Sequence, residues 1–450
     1  MTLWDVVTDV ALLGALMLIG QFLRAKVKLF QSLLLPASLI GGFIGLALGP
    51  SGANVLPFSK SLSGYAGILI AVVFGCTPIG DKPLSKKELK GVGGFFYQNT
   101  GILIFQYAIG MALSLFVLNK FWPDLHNSFG LIYATGFYGG HGTAAAVGSA
   151  FKDLGYPEFF DLGNASATVG IVVGIIFGMA LINWGTRKGY TNYVASPKQL
   201  PADMRTGLIA PENQKPSTKG TINNMSLDSL AFHVGIAIFV TFVAKRLSGV
   251  IAKAVPGLSI PVFVLALAVG YVAQFFLRAT KADKYVDRST LQRISGTSTD
   301  FLVCSAVASL KLSTIASYAG PLMITFVIGI IINILWFLWV SKYSSERDWF
   351  ERGIMNYGRS NGVVATGVLL NRVVDPDAKS RGLEDTGITD LLNRPIAIAL
   401  QVLPPAICMS TLSSVYAMTG VMWLGFIVLT VIALALKWWT PGKMQGGQKK

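Results

Sequence analysis

The sequence predicts an all-α polytopic membrane protein made of two inverted-topology repeats. Of its 450 residues, 52% are hydrophobic and only 13% are charged, a composition typical of a chain that crosses a bilayer many times. Each half also contains one apolar segment interrupted by glycines and polar residues, which an ordinary membrane helix disfavours. The two interrupted segments match at a constant offset. We therefore expect each repeat to hold about five transmembrane helices and one re-entrant loop.

The first interrupted segment, residues 128–151, contains the run Phe137-Tyr-Gly-Gly-His-Gly-Thr-Ala-Ala-Ala-Val-Gly148. Irregular backbone at membrane depth is tolerated only where it is buried in protein or lines a cavity. The functional interpretation is a broken segment whose exposed backbone groups bind a ligand. The structural alternative is close packing of glycine-rich helices, which small residues permit.

The second interrupted segment, residues 353–371, repeats the first. A shift of 219 positions superposes six identical residues: Tyr138 on Tyr357, Gly139 on Gly358, Ala146 on Ala365, Gly148 on Gly367, Pro157 on Pro376 and Gly163 on Gly382. Interrupted segments at corresponding places in two halves indicate the binding site of a secondary transporter. The repeat therefore favours the functional interpretation over simple packing.

The apolar spans follow the same order in both halves. They are residues 6–23, 32–48, 62–79, 92–118 and 163–184 in the first half, and 229–243, 258–276, 300–310 with its flanks, 313–340 and 388–409 in the second. Leu35-Pro36 and Ile260-Pro261 begin the second span of each half, where proline is tolerated. The predicted repeats are residues 1–184 and 229–412, joined by a polar cytoplasmic linker at 185–228. Residues 414–450 add an extra C-terminal helix and a basic tail.

Basic residues set the predicted orientation. If the N-terminus lies outside and the C-terminus inside, cytoplasmic loops hold about four times as many Lys and Arg residues as outer loops. The net charge of +15 therefore reflects membrane topology and does not indicate a nucleic-acid partner. Because each half has an odd number of spans, the halves are inverted, and the two re-entrant loops enter from opposite faces. The isolated cysteines Cys76, Cys304 and Cys408 are expected to be core or lipid-facing residues.

A series of short motifs occurs in the order found in one transporter family. The motifs are Gly139-Gly140-His141-Gly142-Thr143, residues 36–48, Gln106-Tyr-Ala-Ile-Gly110, Ser309-Leu-Lys-Leu312, Gly362-Val-Val-Ala365-Thr366-Gly367 and Asp390-Leu-Leu-Asn393. Together they resemble the bacterial glutamate:sodium symporter family, and the first motif is the most specific. The resemblance implies a homodimeric Na⁺-coupled glutamate symporter of the cytoplasmic (inner) membrane. Its departures, Val364, Gly367 and the Arg359-Ser360-Asn361 run, affect the expected substrate more than the transport class.

Both loops supply candidate substrate-binding residues: Gly139, Gly140, His141, Gly142 and Thr143 in the first, and Arg359, Ser360, Asn361 and Gly362 in the second. Glycines let backbone amides approach a ligand, and the N-terminus of a half-helix favours an anion. Arg359 is a costly cation at membrane depth, which either binds a substrate carboxylate in a forked geometry or pairs with Asp390 or another carboxylate. His141 either donates to a carboxylate, orients the loop, or bonds to backbone.

The candidate ion ligands are Asp390, Asn393, Thr366 and Gln106. Asp390 and Asn393 lie three residues apart on one helix face, and carboxylate and amide oxygens suit a hard cation such as Na⁺. The structural alternative for Asp390 is a pair with Arg394. Thr366, Gln106 and the further candidate Asn99 are weaker, because each could serve only to bridge helices. Na⁺ is expected as the coupling ion, with no other cofactor.

These features predict Na⁺-coupled symport of glutamate, or another acidic amino acid, by alternating access. The alternative is a proton-coupled or exchange carrier of another small organic anion, with Arg359 replacing the contacts typical of the family. An enzyme is not expected, because the cytoplasmic loops lack a paired acidic motif, a metal cluster or a phosphate loop. Two opposed interrupted segments suit alternating access better than an open channel.

Overall fold

The computed structural model describes residues 2–33, 35–80, 91–194, 202–214, 216–254, 261–345, 347–376, 379–407 and 411–442. Within these ranges the chain is helical and contains no strand, so the predicted all-α class is confirmed. Seven of the described helices are long and apolar enough to cross a membrane, and shorter apolar helices accompany them. Cys76 and Cys304 are buried and free, whereas Cys408 and Ile260 lie outside the described residues.

The described helices are α1 Leu3–Lys26, α2 Lys28–Ser32, α3 Ala37–Leu48, α4 Gly64–Cys76, α5 Gly93–Leu113, α6 Asn119–Phe121, α7 Leu131–Phe137, α8 Gly140–Asp153, α9 Glu158–Arg187, α10 Ala202–Thr206, α11 Ser229–Ala254, α12 Val262–Ala279, α13 Arg288–Ala308, α14 Leu312–Ser317, α15 Ala319–Trp336, α16 Trp349–Ser360, α17 Val364–Val374, α18 Gly382–Ile407 and α19 Leu412–Ala435. The extra C-terminal helix predicted within residues 414–450 corresponds to α19. Helices α5 and α15 each continue into a π-helical turn, Ser114–Leu118 and Phe337–Ser341. π-Helical turns are rare overall, but those that do occur are often found at functional sites.

The helices form two compact units, and each unit draws on both halves of the sequence. Unit 1 comprises Met1–Lys26, Pro36–Pro83 and Gly207–Lys311, and unit 2 comprises Val27–Leu35, Leu84–Thr206 and Leu312–Lys450. Each compact unit therefore combines segments that are far apart in the sequence. The assignment of repeats at 1–184 and 229–412, with a linker at 185–228, stays a prediction.

Unit 1 is a bundle of α1, α3, α4, α11, α12 and α13, and its packing repeats between the halves. Helix α1 packs on α3 as α11 packs on α12, and α3 packs on α13 as α12 packs on α4. Pro36 and Pro261 precede α3 and α12 with nearly equal φ and ψ values, −58° and 142° against −56° and 140°. Both prolines therefore start a helix in the same way, in keeping with the predicted repeat.

Unit 2 contains both interrupted segments. The first forms α7 and α8 and the second forms α16 and α17, and both pack against the long helix α9. The second segment is an antiparallel hairpin, because Asn371 Nδ2 near its end donates to Glu351 O near its start at 3.0 Å. Helix α19 packs on α5, where the Tyr97 and Thr430 hydroxyls lie 3.2 Å apart. The membrane face from which each segment enters stays a prediction.

Candidate functional site

The two helix breaks meet inside unit 2. We call residues 139–143 the first tip and residues 359–362 the second tip. Gly140 has a φ of +63°, and a Cβ placed there would lie 2.6 Å from Val363 Cγ1 and 3.2 Å from Gly362 O. Only glycine combines this left-handed backbone with so close an approach. The tips of two segments distant in sequence are therefore neighbours.

Helix α9 lets the second tip come close because its facing surface is glycine. A Cβ at Gly170 would lie 2.5 Å from Asn361 O, and one at Gly174 would lie 2.9 Å from Asn361 Cβ. Small residues at helix interfaces let backbones approach in membranes. These two glycines let Asn361 lie directly against the backbone of α9.

The first tip is uncharged, and its side chains bond to neighbouring helices. His141 is only 1% exposed, and its Nε2 lies 2.9 Å from Thr168 Oγ1 on α9. Since Thr168 Oγ1 donates to Asn164 O at 3.0 Å, it accepts from His141 Nε2–H. Among the described residues the partner of this ring nitrogen is therefore a hydroxyl, and the contact ties the His141 ring to α9. Thr143 Oγ1 accepts from Gln401 Nε2 at 3.3 Å.

The second tip is held by a chain of buried amides. Gln106 Nε2 on α5 donates to Ser360 O at 2.8 Å and to Asn333 Oδ1 at 2.9 Å. Asn333 Nδ2 donates to Asn361 Oδ1, and Asn361 Nδ2 donates to Tyr357 O, both at 2.8 Å. Three of the predicted site residues therefore bond to one another or to this network. Within the described part of the chain, Gln106 Oε1 is buried and has no partner.

Arg359 of the second tip forms an ion pair. Arg359 Nη2 pairs with Asp390 Oδ1 on α18, and the Arg359 guanidinium carbon lies 4.3 Å above the centre of the Tyr138 ring. The side chain of Arg359 is 11% exposed and that of Asp390 is 26% exposed. Of the alternatives considered for Arg359, the structure has the pair with Asp390. The aromatic face adds a favourable cation–π contact.

Three further side chains tie this pair together. Tyr138 Oη donates to Asn99 Oδ1 at 2.6 Å and accepts from Asn393 Nδ2 at 3.2 Å. Asn99 Nδ2 reaches Asp390 Oδ1 at 3.2 Å and Thr389 Oγ1 at 2.8 Å. We call Arg359, Asp390, Tyr138, Asn99 and Asn393 the polar cluster. It joins the first break, which we take as Tyr138 and Gly139 between α7 and α8, to the second tip, α5 and α18.

The four predicted ion ligands separate into two places. Asp390 and Asn393 belong to the polar cluster, whereas Gln106 bonds to the second tip. Thr366 lies in the first turn of α17, where a Cβ added to Gly362 would be 2.8 Å from its Oγ1. The structure thus brings Asp390 and Asn393 to one set of partners and leaves the other two residues with the tip.

Sequence reasoning missed Tyr138 and Asn333 as members of the site. Tyr138 was visible as one of the six repeated residues, yet nothing in the sequence indicated that its ring would cover Arg359. The sequence likewise indicates Asp300 on α13 in unit 1 only as the edge of a span. It lies twelve residues into that helix, about 18 Å from its start, and accepts from Ser38 Oγ at 3.0 Å.

The family described as Sodium/glutamate symporter matches residues 3–349. The sodium/glutamate symporters of Escherichia coli (strain K12) and Shigella flexneri are each 26% identical over 253 residues, which is 56% of this chain and 58% of the relative. The chain therefore matches less than two thirds of the length of these relatives. The family match ends where α16 begins, so the second tip and Asp390 lie beyond it. Because the match covers most of the chain, this multi-pass membrane protein belongs to the sodium/glutamate symporter family.

Proposed function

We propose that the protein is a secondary active transporter that couples Na⁺ entry to the uptake of glutamate across the bacterial cytoplasmic membrane. Membership of the symporter family supports the transport class. The observation that carries the proposal for this chain is the meeting of the two helix breaks beside a buried arginine and a carboxylate. Broken helices that meet in this way are the usual binding sites of secondary transporters.

The substrate's carboxylates would bind at the two tips. Helix α8 begins at Gly140, and the first backbone amides of a helix lack intrahelical partners and favour an anion. Arg359, next to this region, carries the positive charge that a second carboxylate requires. In this proposal the remaining predicted residues of the tips, Gly139, Gly142 and Gly362 among them, shape the site by leaving space.

The coupling cation would bind at Asp390 and Asn393. A carboxylate oxygen and an amide oxygen are suitable ligands for a hard cation, and both residues belong to the polar cluster. The partial exposure of Asp390 supports access by an ion. Binding of the anion and of the cation at neighbouring positions would be mutually favourable, which is the thermodynamic basis of symport.

Alternating access, the inverted orientation of the halves and a homodimeric assembly form part of the same proposal. In unit 1, α3 packs on α13 of the other half as α12 packs on α4, and this correspondence supports the repeat. A second candidate function is a proton-coupled or exchange carrier of another organic anion. One observation favours it, since the second tip lies outside the region matched to the family.

Uptake into proteoliposomes tests this proposal. We expect labelled glutamate to accumulate under an inward Na⁺ gradient and not under an equal K⁺ gradient. Competition by other small anions, at two pH values, separates the two candidates. Uptake that is independent of Na⁺ but driven by a proton gradient would support the proton-coupled carrier in place of the Na⁺-coupled symporter. Absence of uptake of any acidic amino acid would contradict both the substrate and the coupling.

A further inference from the structure

The hydrogen-bonding capacity of the Arg359 guanidinium is only partly satisfied. Its Nη2 pairs with Asp390 Oδ1, but its Nε is buried and has no hydrogen-bond partner among the described residues. A buried N–H of a charged group that lacks a partner is unfavourable. Nε and Nη2 form the edge that a carboxylate contacts with two parallel hydrogen bonds. Asp390 therefore occupies half of a site that a forked carboxylate would fill.

We propose that Asp390 holds the place of the substrate. On this view, which rests on the proposed function, a carboxylate of the substrate replaces Asp390 on the Nε and Nη2 edge of Arg359. The cation replaces Arg359 on the freed Asp390. The ion pair thus opens into two new pairs, one that holds the anion and one that holds the cation.

Charge balance makes the two replacements depend on each other. The Arg359–Asp390 pair is neutral, and so are the two pairs that replace it. Substrate alone would leave one cationic group with two carboxylates, whereas the cation alone would leave two positive charges with one carboxylate. An uncompensated charge is strongly unfavourable where water is largely excluded. Simultaneous binding avoids both situations and so couples the two solutes.

The neighbours of the pair suit this exchange. The Tyr138 ring covers the guanidinium and would keep Arg359 in place after Asp390 leaves. Asn99 Nδ2 contacts both Asp390 Oδ1 and Thr389 Oγ1, so it retains a partner when Asp390 moves. Because Tyr138 belongs to the first break and Arg359 to the second tip, the exchange takes place where the two segments meet.

Equilibrium binding to purified protein in lipid nanodiscs tests the exchange. Labelled glutamate is titrated without Na⁺ and with saturating Na⁺. In Asp390→Asn the arginine has no competing carboxylate, so affinity without Na⁺ should rise about tenfold over wild type and no longer respond to Na⁺. In Arg359→Gln glutamate binding should be lost, while Na⁺ alone should protect against thermal unfolding at lower concentrations than in wild type.

Controls separate exchange from a structural role. Arg381→Gln removes an exposed arginine that also pairs with a carboxylate, Asp385, and should leave both titrations unchanged. The double variant Arg359→Gln with Asp390→Asn is neutral and measures folding without the pair. If Asp390→Asn proves too unstable to titrate, the Na⁺ titration of Arg359→Gln alone decides the matter.

Two results would overturn the exchange: no binding of glutamate by Asp390→Asn without Na⁺, or unchanged or weaker Na⁺ protection in Arg359→Gln. Failure of the proposed function looks different, because wild type itself would then bind no glutamate at any Na⁺ concentration. Na⁺-dependent binding by wild type together with either of the two results would keep the function and remove the exchange.

Discussion

The two tips lie at corresponding positions in the sequence, yet they differ in chemistry. The first tip carries no charged group, approaches its neighbour through Gly140, and uses His141 to bond to Thr168. The second tip carries the buried cation Arg359 and is held by an amide network. The comparison teaches that two segments with matching residues can share a break in the backbone without sharing the chemistry that the break presents. One tip offers backbone and space, and the other offers charge.

Among the substitutions that test this difference between the tips, one at Gly140 should reduce transport most. Alanine there would require a left-handed backbone, which costs about 1–2 kcal/mol, and would overlap Val363. We expect Gly140→Ala to reduce Na⁺-driven uptake by about a hundredfold, because it forces the tips apart.

Gly155 provides the matched control for this substitution. Its φ is +97°, but a Cβ there meets nothing within 4 Å, so Gly155→Ala imposes backbone strain without a clash. Adding Val363→Ala to Gly140→Ala should restore part of the uptake. Equal loss in Gly140→Ala and Gly155→Ala would show that contact between the tips is unimportant.

Replacing Arg359 by lysine should have the next largest effect. Lysine keeps the charge of the second tip but loses the planar fork, so glutamate binding should weaken by about thirtyfold, equivalent to about 2 kcal/mol. Arg381→Lys is the matched control and should bind glutamate normally. Binding that is equal in Arg359→Lys and wild type would mean that the second tip supplies only a point charge.

The amide network of the second tip should be more important for stability than any single bond of the first. Asn333→Leu leaves Asn361 Oδ1 without its donor and removes one of the two acceptors of Gln106 Nε2, which keeps Ser360 O. A buried polar group that loses its partner costs about 1–3 kcal/mol. We expect a lower melting temperature and weaker uptake. Asn183→Leu, at an exposed asparagine that bonds within its own helix, should change stability by less than about 0.5 kcal/mol.

The first tip should respond least to loss of its hydrogen bond. Thr168→Val removes the acceptor of His141 Nε2–H and should cost about 1 kcal/mol in thermal stability, with uptake reduced only a few-fold. Thr168→Ser keeps the hydroxyl and should behave as wild type. A complete loss of uptake in Thr168→Val, with the melting temperature preserved, would give His141 a direct part in substrate binding and reverse the comparison.

The sequence predicted the parts of the fold that depend on periodic patterns. Long apolar runs became α1, α5, α9, α15 and α19, and each interrupted segment contains a helix break, at Gly139 in the first and at Gly362 in the second. The helix break before Gly140 was predictable because glycines disfavour the interior of a membrane helix, and several occur together there. Composition and spacing were sufficient for these features.

The partners of individual side chains were less predictable. Arg359 had several possible carboxylates in the sequence, and the choice of Asp390 depends on how α16 and α18 pack. Tyr138 and Asn333 reach the site through tertiary contacts, and no local pattern records such contacts. Asp300 was overlooked because α13 has too many polar residues to read as an ordinary span.

The central claim is that one site beside the two tips binds the anion at Arg359 and the cation at Asp390. Cryo-electron microscopy of the protein in nanodiscs, with glutamate and Na⁺, tests it most directly. We predict density for a carboxylate within hydrogen-bonding distance of Arg359 Nε and Nη2, next to residues 139–143, with Asp390 turned away from the arginine. Ligand density elsewhere, with the Arg359–Asp390 pair intact, would contradict the account.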